Sequence, residues 1–291
     1  RLIFNQKKFS YLIVKIINLA IVVVKNFLYN NNSRIENIKI KKKIIQLFFI
    51  DFFYSKYRYA QIANIKDILS QKFIVLINPH NPDYLIYNVF GCLHLEEKYH
   101  NSIKIAYYTE NNIPDFNVAD YAIGQTHINY LDRYLRIPYL FGLSYNYTNS
   151  KLFILRKIVL KNQKRKKFCA AVISNHRSYS NFRLHFINEL NKYKKVDMGG
   201  SYNNNVGKVI DKIKFLTDYK FSIAMENSEG DGYMSEKIIQ SFISGTIPIY
   251  YGDYMVDEFI NPKSYILIRG EKDMKQKIEY IKKINEDENL Y

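Results

Sequence analysis

The sequence contains no tryptophan, only two cysteines (Cys92 and Cys169) and six histidines scattered over 291 residues. Two thiols exclude a disulfide-stapled scaffold and any zinc site built mainly from thiolates. The dispersed histidines, with no H-E-x-x-H among them, give no metal-ligand pattern, so no metal site is expected. No G-x-G-x-x-G follows a strand-like run and no Walker A sequence is present, so the usual dinucleotide and P-loop fingerprints are missing. Acidic residues are outnumbered by basic ones, 27 against 43, for a net charge of +16. That imbalance favours anionic partners: nucleic acid, a membrane surface or a phosphorylated substrate. No RNP-like, zinc-finger or helix-turn-helix signature supports nucleic acid, which is not expected as a partner.

What is present is a globular composition, 47% hydrophobic and 24% charged, with length for about two domains at roughly 150 residues each. Abundant Ile, Lys, Asn and Tyr look like the bias of an AT-rich genome, so part of the lysine excess carries no function. The chain opens on Arg1, not Met, which leaves a clipped N-terminus as one reading.

Residues 1–42 read as an apolar and basic extension with a linker. The run Tyr11 to Val24 is interrupted by Lys15 and Asn18 and is shorter than the ~20 residues a membrane-spanning helix needs. Flanking lysines suit a basic amphipathic surface helix; a clipped membrane anchor and a helix packed on the next domain are the other readings. Residues 43–150 change texture. Strand-length runs at 44–52, 72–77, 83–90, 103–108 and 120–124 are rich in Ile, Val, Tyr and Phe and bounded by Asn, Pro, Asp and Gly, with a helix expected over 60–71. The polar, basic stretch 151–167, ending in KNQKRKK, reads as a linker, with a phosphate-binding role as the alternative. A second alternating unit occupies 168–291: strands at 168–174, 220–227, 247–252 and 265–268, helices at 180–193, 206–219, 235–244 and 272–285. Buried apolar strands alternating with helices predict two Rossmann-like α/β domains built on mostly parallel sheets, whose ligands sit at the carboxyl ends of the strands.

The densest constellation is MENSEGDGYMSEKIIQSFISGTIPIYYG at 225–252. A strand ends at Glu226–Asn227, a Gly230-Asp231-Gly232 loop follows, and Ser235 is placed to cap a helix carrying Glu236 and Lys237 in its first turn. A helix N-terminus beside a loop at a strand end is suited to an anion, and Lys237 adds a point charge suited to phosphate. Taken alone, Ser-Glu-Lys reads first as a capped helix start with a solvated ion pair.

The whole segment resembles the donor-binding signature of glycosyltransferase family 10, the bacterial-type α-1,3/4-fucosyltransferases: F-E-N, a short loop, Y-x-T-E-K, a helix and I-P-I-Y-W-G. This chain carries Glu226-Asn227, Tyr233, Ser235-Glu236-Lys237 and IPIYYG at 247–252. FCAAVISN (168–175), VDMGG (196–200), NNNVG (203–207) and FINPKSYI (259–266) resemble flanking family segments. In the first half, YTENNIPDFN and DYAIG within 101–124, and DRYLRIP (132–138), resemble the family's Y-T-G-E-N, P-x-F-N, D-Y-A-I-G and D-R-Y-L-R-x-P.

That resemblance, over roughly residues 44–270, implies a GT-B fold: two Rossmann-like domains facing a central cleft, with the acceptor sugar on the first and GDP-fucose on the second. It implies an inverting α-1,3-fucosyltransferase moving L-fucose from GDP-β-L-fucose to a GlcNAc-type residue of a surface glycan such as lipopolysaccharide, with an N-acetyllactosamine-like acceptor. A transferase using another GDP-sugar, or a non-catalytic binding module of the same fold, is the alternative. Glu110 matches the family's general base. Arg183 and Lys237 match the positions that hold the diphosphate, and Asn227, Tyr233, Ser235 and Glu236 match donor-contacting positions. No cofactor is implied, and a divalent metal at most stimulates. The absence of D-x-D at a strand end fits this better than a metal-dependent GT-A reading. Peripheral contact with the cytoplasmic face of the bacterial inner membrane is expected, with a single N-terminal anchor as the alternative. Four departures stand out: Thr109 for the glycine before the base, Ser235 for Thr, Tyr251 for Trp and Met225 for Phe.

Overall fold

The computed structural model describes residues 42–53, 56–137, 165–174, 182–228 and 230–291. These fall into two compact units, divided between Pro138 and Tyr139. The expectations for residues 1–41, most of the basic stretch, and the 175–181 loop lie outside the described residues.

The first unit holds six parallel strands: β1 (Lys43–Ile50), β2 (Phe73–Ile77), β3 (Tyr84–Tyr87), β4 (Ile103–Tyr107), β5 (Tyr121–Gly124) and β6 (Tyr134–Arg136), in the order β2-β1-β3-β4-β5-β6. Strands β1 and β3 are buried on alternate sides: Leu85 and Tyr87 on one face, Leu47, Phe49 and Ile86 on the other. The helix α1 (Lys56–Ser70) closes the second face with Ile62, Ile65 and Leu69, spaced three and four residues apart as one helix stripe requires.

The second unit holds five parallel strands: β7 (Lys167–Val172), β8 (Val196–Gly199), β9 (Tyr219–Met225), β10 (Ile247–Tyr251) and β11 (Ile266–Leu267), in the order β11-β10-β9-β7-β8. Helices α2 (Phe182–Asn191) and α5 (Glu271–Glu286) pack on one face through Phe186, Leu190, Ile278 and Ile281. Helix α4 (Glu236–Ser244) packs on the other through Ile238, Ile239 and Ile243, against Ala224 and Tyr250. It stops at Gly245, whose φ of 72° lets its N–H turn back to the carbonyl oxygens of Phe242 and Ser241, the left-handed helix end that glycine favours.

Both sheets reverse direction once, between β1 and β3 and between β7 and β9. Those reversals leave a crevice at the carboxyl ends of the strands, where open α/β sheets place ligands.

Three sequence expectations change. The helix expected over 206–219 shrinks to α3 (Lys212–Leu216). Gly207 takes a φ of 81° and Asp211 is extended, so no helix runs through 206–211; the side chains of Asn204 and Asn205 brace this loop by accepting from the N–H groups of Val206, Gly207 and Met198. Asp211 then caps the short helix by accepting from Lys214 N at 3.0 Å. The expected basic linker ends early, because Lys167 already belongs to β7. Its neighbour Arg165 donates to the carbonyls of Thr217 and Tyr219 at 2.8 and 3.2 Å, at the amino edge of the sheet. A phosphate-binding role is thus not supported for 165–167. Finally, β6 and β8 are strands that no apolar run announced.

Candidate active site

The end of β9 places Glu226 in the interior at 1% exposure. An isolated buried carboxylate would be prohibitive, and this one is fully engaged. Oε1 accepts from Ser235 N and Oγ at 2.8 and 2.9 Å, and Oε2 accepts from Ser235 Oγ at 2.6 Å and Lys237 Nζ at 2.7 Å. Lys237 Nζ also donates to Ser235 Oγ at 2.8 Å. Ser235 stands at the N-cap position of α4, but its hydroxyl makes no capping bond. The expected helix cap is instead the hinge of a Glu–Ser–Lys triangle. Gly252 makes room for it: a Cβ there would lie 2.7 Å from Glu226 Cγ.

The charges around this triangle interact. Burial lowers the Arg183 pKa, with the Glu226 charge working the other way. Burial also pulls Lys237 down, but Glu226 and Glu236 outweigh it and hold its ammonium above the usual lysine value. Burial pushes Glu236 up, yet Lys237 and Lys212 prevail and its carboxyl lies below the usual range. For Lys212 burial wins and its pKa falls, despite Glu236 and Glu226. Three cations, Arg183, Lys212 and Lys237, therefore share one neighbourhood with two carboxylates. Arg183 is 5% exposed, so it is not a solvated helix residue. Lys212 was missed by sequence reasoning; its place as the first residue of α3, just after the cap Asp211, is the signal that could have found it.

The remaining donor-site expectations sit on the same segment. Asn227 follows Glu226 and is half-buried. Tyr233 is 5% exposed, and its N–H bonds to Gly230 O at 2.9 Å. The glycine-containing loop is pinned by a residue that sequence reasoning did not single out: fully buried Asp253 accepts from Gly232 N at 2.9 Å and Met255 N at 3.0 Å. The substituted aromatic Tyr251 packs on Phe182, centroids 4.6 Å apart, and Met225 is buried core; both departures retain an apolar packing role.

Glu110 belongs to the other unit, in the bend after β4, and is exposed. Its backbone surroundings are fixed. Asn112 N donates to Glu110 O at 2.8 Å, and buried Gln125 donates through Nε2 to Thr109 O at 2.7 Å. Thr109 is not among the described non-glycine residues with positive φ, which are Asp51, Leu131 and Asn203. The loss of glycine before Glu110 therefore strains nothing. The DRYLRIP motif is architectural: Arg133 donates to the carbonyls of Asp120, Phe116 and Ala119, tying the loop between β4 and β5 to β6. Among the described residues, no group of three His, Cys, Asp or Glu side chains is arranged to hold a metal ion.

This arrangement offers a cationic cluster suited to a diphosphate in one unit and a solvent-facing carboxylate at a strand end in the other. The profile of "Glycosyltransferase family 10 (fucosyltransferase) C-term" matches residues 162–291, and that of "Alpha-(1,3)-fucosyltransferase FucT N-terminal domain" matches residues 35–143. The alpha-(1,3)-fucosyltransferase FucT of Helicobacter pylori is 32% identical over 255 residues, which are 77% of this chain and 53% of that protein. The chain thus spans about half the length of that relative. A crystal structure of an alpha1,3-fucosyltransferase superposes with a TM-score of 0.75 at 29% identity, covering 89% of this chain and 83% of the other. A structure of alpha1,3-fucosyltransferase with GDP-fucose gives 0.73, with the same identity and coverage. The architecture is GT-B-like, two Rossmann-type units. With both profiles matched in order, the chain belongs to glycosyltransferase family 10.

Proposed function

We propose that the protein is an inverting fucosyltransferase that moves L-fucose from GDP-β-L-fucose to a GlcNAc-type hydroxyl, in an α-1,3 linkage, on a surface glycan such as lipopolysaccharide. The observation that carries this reading is the carboxylate-locked Lys237 beside Arg183 and Lys212, in a fold that a relative presents with GDP-fucose.

In this reading the unit spanning 168–291 takes the donor. Arg183, Lys212 and Lys237 receive the negative charge that builds on the diphosphate as the fucose C1–O bond breaks and GDP leaves with the electron pair. Fixed charges aimed where charge develops need no reorganisation at that moment. Asn227, Tyr233 and Glu236 line the donor. Ser235 acts through its bonds to Glu226 and Lys237. The unit spanning 43–150 takes the acceptor. Glu110 accepts the proton of the attacking hydroxyl while its oxygen bonds to C1 on the face opposite GDP, inverting the centre. The chemistry calls for no metal when side chains neutralise the leaving group. The excess of positive charge supports attraction of the GDP-sugar and peripheral contact with the anionic cytoplasmic face of the inner membrane. Among the described residues, no helix is long and apolar enough to cross a membrane.

The test is GDP release from GDP-fucose, with and without N-acetyllactosamine, for wild type and Glu110→Ala. Acceptor-stimulated release that collapses in the variant is the expected result. GDP binding without release on any acceptor would overturn the reading in favour of another GDP-sugar or a non-catalytic module.

A further inference from the structure

The sheet reversal in the first unit holds a second charged device that the reaction above does not use. Asp51 ends β1 with φ at 59°, a left-handed backbone that Asp tolerates but rarely adopts. Its carboxylate is 1% exposed. It accepts from Leu93 N at 3.1 Å and His94 N at 3.0 Å, and lies 2.6 Å from His94 Nδ1. The loop after β3 wraps so closely that a Cβ at Gly91 would sit 2.3 Å from Asp51 Oδ1. The His94 ring is stacked on Tyr87, centroids 3.9 Å apart and 12° from parallel.

This geometry fixes the imidazole. A carboxylate accepts only, so Nδ1 carries the hydrogen and Nε2 is the nitrogen left for a second partner. Among the described residues Nε2 has no hydrogen-bond partner, and it is not one of the sealed, unsatisfied nitrogens; the His94 side chain retains 11% exposure. At the same strand end lie two exposed rings, Phe53 at 61% and Phe90 at 45%, with centroids 5.3 Å apart. Phe90 is tied to the same strand end, its N–H donating to Asp51 O at 3.2 Å. An oriented ring nitrogen and exposed aromatic faces at one strand end suit one pyranose: a hydroxyl to hydrogen-bond and a C–H face to stack. Tyr87 in turn meets Tyr108 edge-on at 6.2 Å, two residues before Glu110. The imidazole and the candidate base therefore stand at the carboxyl ends of neighbouring strands of one sheet, β1, β3 and β4.

We infer that His94, aimed by Asp51, is a specificity-determining group for the acceptor: its Nε2 takes a hydrogen bond from an acceptor hydroxyl other than the one fucosylated, while the Phe53–Phe90 pair stacks on that sugar. The inference rests on the proposed transferase reading and deepens it.

The test is steady-state kinetics of wild type and His94→Phe, which keeps a ring on Tyr87, using N-acetyllactosamine and its monodeoxy analogues. The expected result is an acceptor KM raised about tenfold by the substitution, the worth of a lost buried hydrogen bond, with the donor KM held. One deoxy analogue should be penalised in wild type and not in the variant, a coupling that a merely structural histidine would not show. An acceptor KM raised less than about twofold in a folded variant, or deoxy penalties identical in both proteins, would overturn the inference, since a lost hydrogen bond shifts KM by more. A second measurement needs neither turnover nor a folded variant: the ring nitrogen resonances of His94 in the wild-type protein, followed as N-acetyllactosamine is added. A saturable shift without turnover on any acceptor would keep His94 as a saccharide contact while the transferase reading fell. Turnover with unmoved His94 resonances would do the reverse.

Discussion

The two units share a strand order but treat charge in opposite ways. At the end of β9 the carboxylate is sealed in and locked to a serine and a lysine, with three cations packed around it. At the end of β4 the candidate base is exposed, and the backbone around it is fixed through Gln125 and Asn112. In the proposed reaction the contrast follows from what each site would be asked to do. Cations meant to stabilise a leaving diphosphate work best when held rigid in a low-dielectric setting, whereas a base must reach a proton on a glycan that arrives from solution. Rigidity is achieved by burial and pairing in one unit and by main-chain anchoring in the other.

The contrast is sharpest in activity. Glu110→Ala should lower acceptor-dependent turnover by about 10²–10⁴-fold, the usual worth of a general base. Because the side chain is exposed, its thermal unfolding should shift by no more than about 0.5 kcal/mol. Calorimetry beside the GDP-release assay reads both. Glu226→Gln should break the pattern in the other unit, since removing one partner of a buried ion pair costs about 3 kcal/mol. Stability and GDP affinity should fall together, measured by denaturant unfolding and titration calorimetry. A Glu226→Gln protein that unfolds like wild type would mean that the lock contributes nothing. Lys212→Met should separate the two properties. Burial makes the lysine charge unfavourable in the folded state, so the variant should melt higher while binding GDP more weakly. The smallest effect is one of pH. The Glu236 pKa is lowered from its usual 4.5 in the fold, so its charge adds stability above pH 4.5 and loses it as pH falls through the folded value. Lys237 is raised from 10.5, so its contribution is complete below 10.5 and lost as pH rises through the folded value. Glu236→Gln should flatten the acid limb of a stability–pH curve and also shrink the alkaline limb, because Glu236 helps Glu226 hold the Lys237 ammonium up.

The sequence made much of this legible where one residue run carries one element. The longer strands are continuous apolar runs, and the segment 225–252 brings a strand, loop, helix and strand together with most of the charged cluster. What remained hidden depends on contacts distant in sequence or on side chains that compete with the backbone. Asp51 and His94 lie 43 residues apart and meet only because β1 and β3 are neighbours. Lys212 starts a helix because Gly207 takes a left-handed backbone and Asp211 is extended, leaving a short helix in place of the long one the pattern suggested. Ser235 looks like a cap by spacing, yet Glu226, nine residues upstream, claims its hydroxyl. Strands as short as VDMG and YLR have too few residues to show a period.

Gly91 and Gly252 each leave the space that a buried acid fills, Asp51 and Glu226 respectively. The two members of each pair are therefore bound in their evolutionary order. A side chain can arise at 91 only in a lineage that has already shortened or displaced Asp51, and at 252 only where both Glu226 and the Tyr250 ring have given way, and an acid once lost cannot return after that space is filled. Drift at either glycine is thus irreversible in a single step, even though neither glycine carries a functional group.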